Sequence, residues 1–362
     1  MRSLTLAGTA LLMATLLSSC GAESGTTDPV GLPTGTIVAA PAATASTVNG
    51  RIAYTRNDLA TGDSHIFIAN SDGTEEHQLD LPYPADFAVW SPDGSKILNT
   101  MFRPDAPIRP AVVTPDGAGL SVLDVAGVPS DAGMGCKAWS PDGSRLLCQV
   151  MSFSDDHAVD GIYTIRTLDG GGLARLTDNP YPPVGNFGGG DIPGGYSPDG
   201  SQFVFMRAKP GAGPTPDRNQ TGALFIENTD GTGLRQITPY GLANSHDDGV
   251  AHWSPDGRDI LFASAEGSLF SAHVDGTGLR NIQLHTGGSS SFIRAPDWSP
   301  DGSRIVLSMF LGNTGRFDIY AANADGSGLA RLTDTPEFED FADWGSGSAV
   351  AEQVVLSRNG SD

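Results

Sequence analysis

The sequence predicts an all-β fold: a six-bladed β-propeller whose blades are four-stranded antiparallel sheets. The phrase Trp/Tyr-Ser-Pro-Asp-Gly occurs five times, beginning at residues 90, 139, 196, 253 and 298. Each copy lies between apolar segments that have the composition of strands, and the units are roughly 45–57 residues long. Units of this length with four short strands each are typical of propeller blades. A sixth aromatic residue, Trp344, closes the last unit, so six blades are expected.

Each copy of the phrase has the composition of a tight turn between two antiparallel strands. Proline fixes φ at about −65°, aspartate follows it, and glycine supplies the left-handed conformation from which the second strand leaves the turn. The segments that follow, such as Ile97-Leu98 and Ile305-Val306-Leu307, predict half-buried strands. A second turn, Asp-Gly, recurs later in the units, for example at Asp275-Gly276.

The chain is expected to begin with a signal segment and a tether. Residues 1–20 combine Arg2, an apolar run and Leu17-Ser18-Ser19-Cys20, which indicates a secretory signal. The last four residues resemble the lipobox of bacterial lipoproteins, in which the cysteine is lipidated. The alternative is an ordinary signal peptide with a chance cysteine.

Residues 21–49 are rich in Gly, Ala, Thr, Ser and Pro and predict a disordered tether. No later segment is apolar enough to cross a bilayer, so Cys20 is the one predicted membrane attachment.

The propeller is predicted to span residues 50–345 and to close its ring with its last strand. Residues 51–56 have the features of a second blade strand, whereas residues 341–344 have those of a first strand. The C-terminal strand would therefore complete the N-terminal blade and cover edges that otherwise invite aggregation. The tail, residues 346–362, could add a strand or extend freely.

The order of the turns predicts which face of the ring carries function. The Ser-Pro-Asp-Gly and Asp-Gly turns are short and uniform, and alternation of strand direction places both kinds on the same face. The remaining connections vary in length and composition and lie on the opposite face. Binding residues usually lie on variable loops held by a rigid scaffold, so we expect the functional face there.

Together these features resemble the PD40 (WD40-like) repeats of TolB-like six-bladed propellers. The resemblance rests on the five repeated phrases, the Ile-Tyr strands and the Asp-Gly-x-Gly-Leu…Leu-Thr endings, and it covers about residues 50–345. It implies the same ring of blades. TolB itself carries an N-terminal α/β domain, whereas about thirty tether residues precede the propeller here. We therefore expect a TolB-like protein that is not TolB.

Charged residues are predicted to converge on the channel mouth of the variable-loop face. Alignment of the units on the closing aromatic places charged residues four or five positions upstream, with two more beside them: Asp86, Asp191, His246, Asp247, Asp248, Arg294, Glu339 and Asp340. Such carboxylates could hold Ca²⁺ or Mg²⁺ through oxygen ligands, or bind a cationic group of a partner. The alternative is that they are solvated acids of an acidic protein. The scattered histidines lack the close spacing typical of a zinc site.

Cys136 and Cys148 flank one of the turns. Counting outward from the Ser-Pro-Asp-Gly phrase places them opposite each other on paired strands. Outside the cytoplasm such a pair could form a disulfide. Directly opposed strand positions strain the geometry of that bond, so two free thiols are the alternative.

Composition and missing motifs limit the classes of function. The chain has 21 Lys plus Arg against 42 Asp plus Glu, a formal charge of −21, which opposes binding to nucleic acid. No Gly-x-Ser-x-Gly or dinucleotide fingerprint occurs, and about eighteen residues after Trp344 are too few for a catalytic domain.

We predict a monomeric, lipid-anchored, extracytoplasmic module that binds an envelope protein or a cell-wall or sugar component. The alternative is a metal-assisted enzyme of the polysaccharide lyase or hydrolase type, with its site in the channel mouth.

Overall fold

The computed structural model describes residues 48–154, 157–178, 190–209, 221–243, 251–264, 266–287, 291–312 and 314–347. These residues form 24 β-strands, and none belongs to a helix that could cross a membrane. In chain order the strands are β1 Val48–Asn57, β2 Ser64–Ala69, β3 His77–Gln78, β4 Ala85–Trp90, β5 Ile97–Met101, β6 Arg109–Val113, β7 Ser121–Val122, β8 Ala132–Trp139, β9 Arg145–Ser152, β10 Gly161–Arg166, β11 Ala174–Arg175, β12 Asp191–Tyr196, β13 Gln202–Lys209, β14 Thr221–Asn228, β15 Arg235–Gln236, β16 Ala251–Trp253, β17 Asp259–Ala263, β18 Leu269–His273, β19 Arg280–Asn281, β20 Ser291–Trp298, β21 Arg304–Leu311, β22 Phe317–Asn323, β23 Ala330–Arg331 and β24 Phe338–Gly347.

The strands form six four-stranded antiparallel sheets, which confirms the predicted six-bladed propeller. Blade 1 has the order β24-β1-β2-β3, and blades 2 to 6 each consist of four consecutive strands, from β4–β7 to β20–β23. In each blade, the strand that carries the closing aromatic residue is called the inner strand. The inner strands of blades 1 to 6 are β24, β4, β8, β12, β16 and β20.

The C-terminal strand closes the ring, as the sequence predicts. β24 pairs antiparallel with β1, from Asn57 opposite Phe338 to Val48 opposite Gly347. The pairing therefore reaches slightly beyond both predicted limits of the propeller. The rest of the tail, from residue 348, lies outside the described residues, as do the signal segment and nearly all of the tether.

The repeated phrase forms the expected turn, held by its own side chains. Gly94 has φ 67° and Gly302 has φ 70°, both in the left-handed region. In the first copy Asp93 Oδ1 accepts from the Ser91 hydroxyl at 2.6 Å and from the Ser95 main-chain N–H at 3.0 Å. These hydrogen bonds, the one from the Ser91 hydroxyl first, lower the pKa of Asp93. The acids of the phrase thus serve the turn, as Asx turns do.

Apolar side chains fill the wedge between neighbouring blades. One cluster joins Leu261 and Ile282 of blade 5 to Ile305 and Leu307 of blade 6, with the closing aromatic Trp298 among them. Burying a side chain of this size contributes about 1.5–3 kcal/mol. The closing aromatics therefore act mainly in packing between blades.

Antiparallel pairing separates the connections onto two faces. Connections between first and second strands and between third and fourth strands lie on one face, called the turn face below. Connections between second and third strands and between blades lie on the opposite face, called the loop face. The inner strands begin at the loop face and end at the turn face, so the channel mouth on the loop face is formed by their first residues.

Candidate functional site

The described part of the predicted site lies at the loop-face ends of four inner strands. Asp86 is in β4, Asp191 begins β12, Arg294 is in β20, and Glu339 and Asp340 are in β24. His246, Asp247 and Asp248 lie outside the described residues, as does Cys20. The structure thus brings charged residues of blades 1, 2, 4 and 6 to one end of the ring.

Three of the predicted acids are engaged by arginines. Asp191, 1% exposed, accepts two hydrogen bonds of 2.7 Å from Arg207, through Nε and Nη2. Glu339 Oε1 accepts from Arg56 Nε at 2.8 Å. Both arginines are on the second strand of the same blade, directly opposite the acid in the strand register.

The third pair crosses from one blade to the next. Arg294 Nη1 of blade 6 lies 3.0 Å from Asp340 Oδ2 of blade 1, and both side chains are largely buried. Each of the three acids therefore has an arginine that compensates its charge. Among the described residues, no group of three or more His, Cys, Asp or Glu is arranged to hold a metal ion.

Below the mouth, two phenylalanines and a lysine from three inner strands lie in contact with one another. The inner strands carry β-bulges, and bulges redirect side chains. Phe87 and Phe341, at the bulges of blades 2 and 1, have φ of 55° and 53°, a conformation uncommon for residues other than glycine. Their ring centroids are 3.9 Å apart, and the Lys137 ammonium of blade 3 lies over the Phe87 ring. This trio meets where three neighbouring inner strands face the channel.

Closer to the turn face, a chain of polar groups crosses three blade junctions. His252 Nδ1 of blade 5 lies 3.0 Å from Asp297 Oδ1 of blade 6. Asp297 shares a side-chain hydrogen bond with Asp343 of blade 1. Asp343 Oδ2 in turn accepts the main-chain N–H of Trp90 in blade 2 at 2.8 Å. The chain links both edges of the closing blade to its neighbours.

The two carboxyl groups in this chain differ in their affinity for a proton. Burial, reinforced by the Asp297 carboxylate, raises the pKa of Asp343 well above its usual value. Burial also acts on Asp297, but the His252 imidazole and the hydrogen bond from Asp343 outweigh it and lower the pKa of Asp297. The opposite directions of the two pKa shifts favour Asp343 as the partner that carries the proton of this hydrogen bond.

A sequence signal for this chain exists one position before the closing aromatic. That position carries His252, Asp297 and Asp343 in three consecutive blades. The predicted mouth residues lie mainly four or five positions upstream of the same aromatics. His252 contacts the next blade through Asp297.

The structure places the two predicted cysteines opposite each other. Cys136 of β8 and Cys148 of β9 are register partners, and their sulfur atoms are 1.90 Å apart with a Cα–Cα distance of 3.8 Å. Both side chains are fully buried, inside the cluster that also contains Trp139. The pair lies in the wall of blade 3, away from the mouth.

The loop face also carries large apolar side chains exposed to solvent. Leu59, Tyr83, Met151 and Phe153 lie on connections or strand ends of blades 1 to 3 on this face. Phe153 is 60% exposed, and its ring covers Gly133 near the start of the inner strand β8. A Cβ at Gly133 would lie 2.8 Å from the Phe153 ring, so glycine is needed for this approach. Phe153 thus lies beside the channel mouth.

Comparison with solved structures finds other propellers. The sequence matches no protein-family model. TolB from Acinetobacter baumannii is 19% identical with a TM-score of 0.59, over 82% of this chain and 66% of that one. A putative TolB from Agrobacterium tumefaciens is 18% identical with a TM-score of 0.51, over 83% of this chain and 99% of that one. An oligogalacturonate lyase in complex with manganese is 16% identical with a TM-score of 0.46, over 80% of this chain and 75% of that one.

At identities this low, the two TolB structures establish similarity of fold alone. This chain spans just under two thirds of the A. baumannii TolB chain. Its described residues form a TolB-like propeller.

Proposed function

We propose that this protein is a binding module of the bacterial cell envelope, anchored outside the cytoplasm by a lipid on Cys20, whose loop face binds a partner protein. The envelope location is supported by the signal segment and its lipobox-like end. The binding role is supported by the TolB-like propeller, which holds variable connections on one face of a rigid ring.

The observation that carries the proposal is the pairing of exposed apolar side chains with a charged mouth on the same face. Phe153 and Tyr83 are 60% and 41% exposed, and Phe153 lies beside the mouth. Exposed aromatic residues next to polar groups are typical of protein interfaces, where they act as anchors. The charge pairs of the mouth are largely buried, so the exposed aromatic residues are the groups that a partner would contact.

Capture experiments with matched surface variants test this proposal. Phe153→Ser and Tyr83→Ser change the loop face, while Leu168→Ser changes an equally apolar residue, 89% exposed, on the turn face. Loss of one aromatic anchor costs about 2 kcal/mol, or roughly 30-fold in affinity. We expect both loop-face variants to lose capture of the envelope partner and Leu168→Ser to retain it. Equal capture by all three would contradict the proposed face.

The chemical class of the partner is tested on the same samples. Protease treatment of the envelope extract before capture should remove the partner if it is a protein. Capture that survives protease and is competed by soluble cell-wall fragments would instead indicate a glycan or cell-wall ligand.

The lipid anchor has its own test. Replacing Cys20 with serine should move the protein from the membrane fraction to the soluble extracytoplasmic fraction, because the acyl chains that hold it are lost. Retention of Cys20→Ser in the membrane would contradict anchoring through this residue.

Thermal unfolding with EDTA, Ca²⁺, Mg²⁺, Mn²⁺ or Zn²⁺ separates the binding module from a metal-assisted enzyme. We expect no change in Tm, because arginines engage three of the described mouth acids. A rise in Tm with one of these ions, saturable at millimolar concentration, would favour the metal-assisted enzyme over the binding module.

A further inference from the structure

The junction between blades 3 and 4 differs from the other blade junctions in its closing aromatic. Blade 4 ends its inner strand with Tyr196, whereas the other five units use tryptophan. A cleft of about 480 Å³ opens on the turn face at this junction. Its lining includes Pro141, Asp142, Arg145, Ala174, Leu176, Tyr196 and Asp199. This set is called the junction cleft below.

At two other junctions an arginine stacks on the closing indole of the next blade. The Arg304 guanidinium carbon of blade 6 lies 5.0 Å from the centroid of Trp344 in blade 1. The Arg51 guanidinium carbon of blade 1 lies 5.5 Å from the centroid of Trp90 in blade 2. These distances are in the range of cation–π contacts, which arginine makes best with tryptophan.

Strand register shows that Arg145 is the equivalent arginine of blade 3. Arg304 directly precedes the residue that pairs with its own blade's closing aromatic, and the same holds for Arg51. Arg145 directly precedes Leu146, which pairs with Trp139. Its expected stacking partner is therefore the closing aromatic of blade 4, which is Tyr196.

The tyrosine has a narrower ring than tryptophan and carries a hydroxyl, and the arginine contacts at this junction differ accordingly. The Tyr196 hydroxyl lies 3.1 Å from Thr164 Oγ1 of blade 3. Arg145 donates through Nε to the same Thr164 oxygen at 2.9 Å and through Nη2 to the Gly172 carbonyl at 3.0 Å. Hydrogen bonds thus orient the guanidinium in the lining of the cleft, next to the Tyr196 ring.

The lining selects for a particular ligand chemistry. Pro141, Leu176 and the guanidinium plane of Arg145 offer flat or apolar contacts. Asp142 and Asp199 are the phrase acids of blades 3 and 4, and Oδ1 of each accepts hydrogen bonds within its own turn, from Ser140 and Ser197 respectively. These hydrogen bonds lower the pKa of both acids, for Asp199 against the effect of burial. A carboxylate has about four acceptor sites, so each can accept a further hydrogen bond from a ligand. Two ionised carboxylates against one arginine oppose an anion. They favour a group that donates hydrogen bonds.

We propose that the junction cleft binds a planar aromatic group with an N–H donor, beside the Tyr196 ring. Such a group is found in a tryptophan side chain of a peptide and in a free heteroaromatic molecule. The ring would stack on Arg145, and its N–H would donate to a carboxylate of the lining.

Ligand-observed NMR with the full mature chain tests the proposal, using indole and N-acetyl-L-tryptophanamide as probes. We expect saturable binding of indole to the wild type and at least tenfold weaker binding to Tyr196→Trp, which fills the space with the chain's own indole. Arg145→Gln should weaken binding roughly fivefold, and Arg166→Gln, an arginine outside the cleft, should not. Ala174→Phe blocks the same space by a second route, and thermal unfolding checks that each variant is folded.

The outcomes separate the sources and decide the proposal. Binding of both probes supports a peptide side chain as ligand, and binding of indole alone supports a small free heteroaromatic. The proposal is overturned if neither probe binds the wild type, or if Tyr196→Trp and Ala174→Phe bind the probes as tightly as the wild type does.

Discussion

The channel wall has two halves that connect neighbouring blades by different means. In blades 2, 3 and 4 the residue before the closing aromatic is small or apolar: Val89, Ala138 and Gly195. We call this the apolar half. Here indoles make the connection between blades: Trp139 Nε1 donates to the Val89 carbonyl at 3.1 Å, and Trp253 Nε1 donates to the Gly195 carbonyl at 3.1 Å.

In blades 5, 6 and 1, the charged half, the same position carries His252, Asp297 and Asp343. Carboxylates replace carbonyls as acceptors there. Asp343 accepts the main-chain N–H of Trp90 at 2.8 Å, and Asp297 accepts that of Trp344 at 3.4 Å.

The hydrogen bonding of the indole N–H groups also differs between the two halves. Among the described residues, the buried Nε1 atoms of Trp90, Trp298 and Trp344 have no hydrogen-bond partner, and in each case the preceding blade belongs to the charged half. At the Trp90 and Trp344 junctions a carboxylate of the preceding blade thus replaces the indole bond instead of adding to it. Repeats that pack alike can therefore be joined by different polar groups.

The charged half also contains the point where the ring closes. β1 and β24 come from opposite ends of the propeller, so their pairing carries the largest loop-closure cost in the fold. The Asp297–Asp343 pair connects β24 to blade 6, and the bond to Trp90 connects it to blade 2. We infer that closure depends on this buried polar chain more than on any single contact of the apolar half.

Removal of the Asp343 side chain should have the largest effect. Asp343→Ala leaves the Trp90 N–H and the Asp297 carboxylate without their shared partner in a buried site. We expect a loss of about 3 kcal/mol in the free energy of unfolding, measured by urea denaturation. Asp343→Asn is the control, because an amide has the donor and acceptor of a protonated carboxyl, and it should lose less than about 1 kcal/mol. Equal losses in the two variants would contradict the assignment of the proton.

The same pair should make stability depend on pH. In the unfolded chain the Asp343 carboxyl has the ordinary Asp pKa of about 4 and loses its proton there. In the folded protein its pKa is raised, so the proton is kept to higher pH. Its contribution is complete below that pH and is lost as pH rises through the folded pKa. Asp297, with a lowered pKa, has the opposite sign and loses its contribution on acidification.

Thermal unfolding between about pH 5 and 9 measures this dependence. We expect Tm of the wild type to fall toward alkaline pH and Asp343→Asn to fall less steeply. Parallel curves for the two proteins would rule out Asp343 as the source.

In the apolar half, the cysteine pair should make a smaller contribution. If Cys136 and Cys148 form a disulfide, the double variant Cys136→Ser/Cys148→Ser should lose about 2 kcal/mol for a loop of 12 residues. Dithiothreitol should destabilise the wild type to a similar extent and leave the double variant unchanged. Two alkylatable thiols in the exported, unreduced protein would show that the bond does not form.

The smallest effect is expected from the indole bonds that distinguish the halves. Trp139 and Trp298 are each 7% exposed, but Trp139 alone of the two has an Nε1 partner. Phenylalanine at either position loses similar packing, whereas Trp139→Phe also leaves the Val89 carbonyl unsatisfied. Trp139→Phe should cost about 1 kcal/mol more than Trp298→Phe in urea denaturation. A reversed order would mean that packing differences dominate.

Local features of the sequence were sufficient for the architecture. The Pro-Asp-Gly turn chemistry depends on neighbouring residues, and its spacing gave the blade count and the closing strand. The register of Cys136 and Cys148 followed by counting from one turn, because a tight hairpin fixes which residues are opposite.

The side-chain partners in the channel could not be predicted from the sequence. The sequence placed Asp191 and Glu339 at the mouth, yet their arginines are on the second strand. They become partners only through the pairing register across bulges. The contact of Phe87, Phe341 and Lys137 depends on bulges that redirect those side chains, and nothing in the repeated phrase signals a bulge.

The sequence by itself determined a closed ring of six blades with short turns on one face and variable connections on the other, because these follow from short-range conformational preferences and strand alternation. Tertiary structure alone decided that Asp297 is hydrogen-bonded to Asp343 and that a cleft lies beside Tyr196 and Arg145. Both features join side chains of different blades, and the distance between such side chains is set by the packing of the closed ring, whatever their separation along the chain.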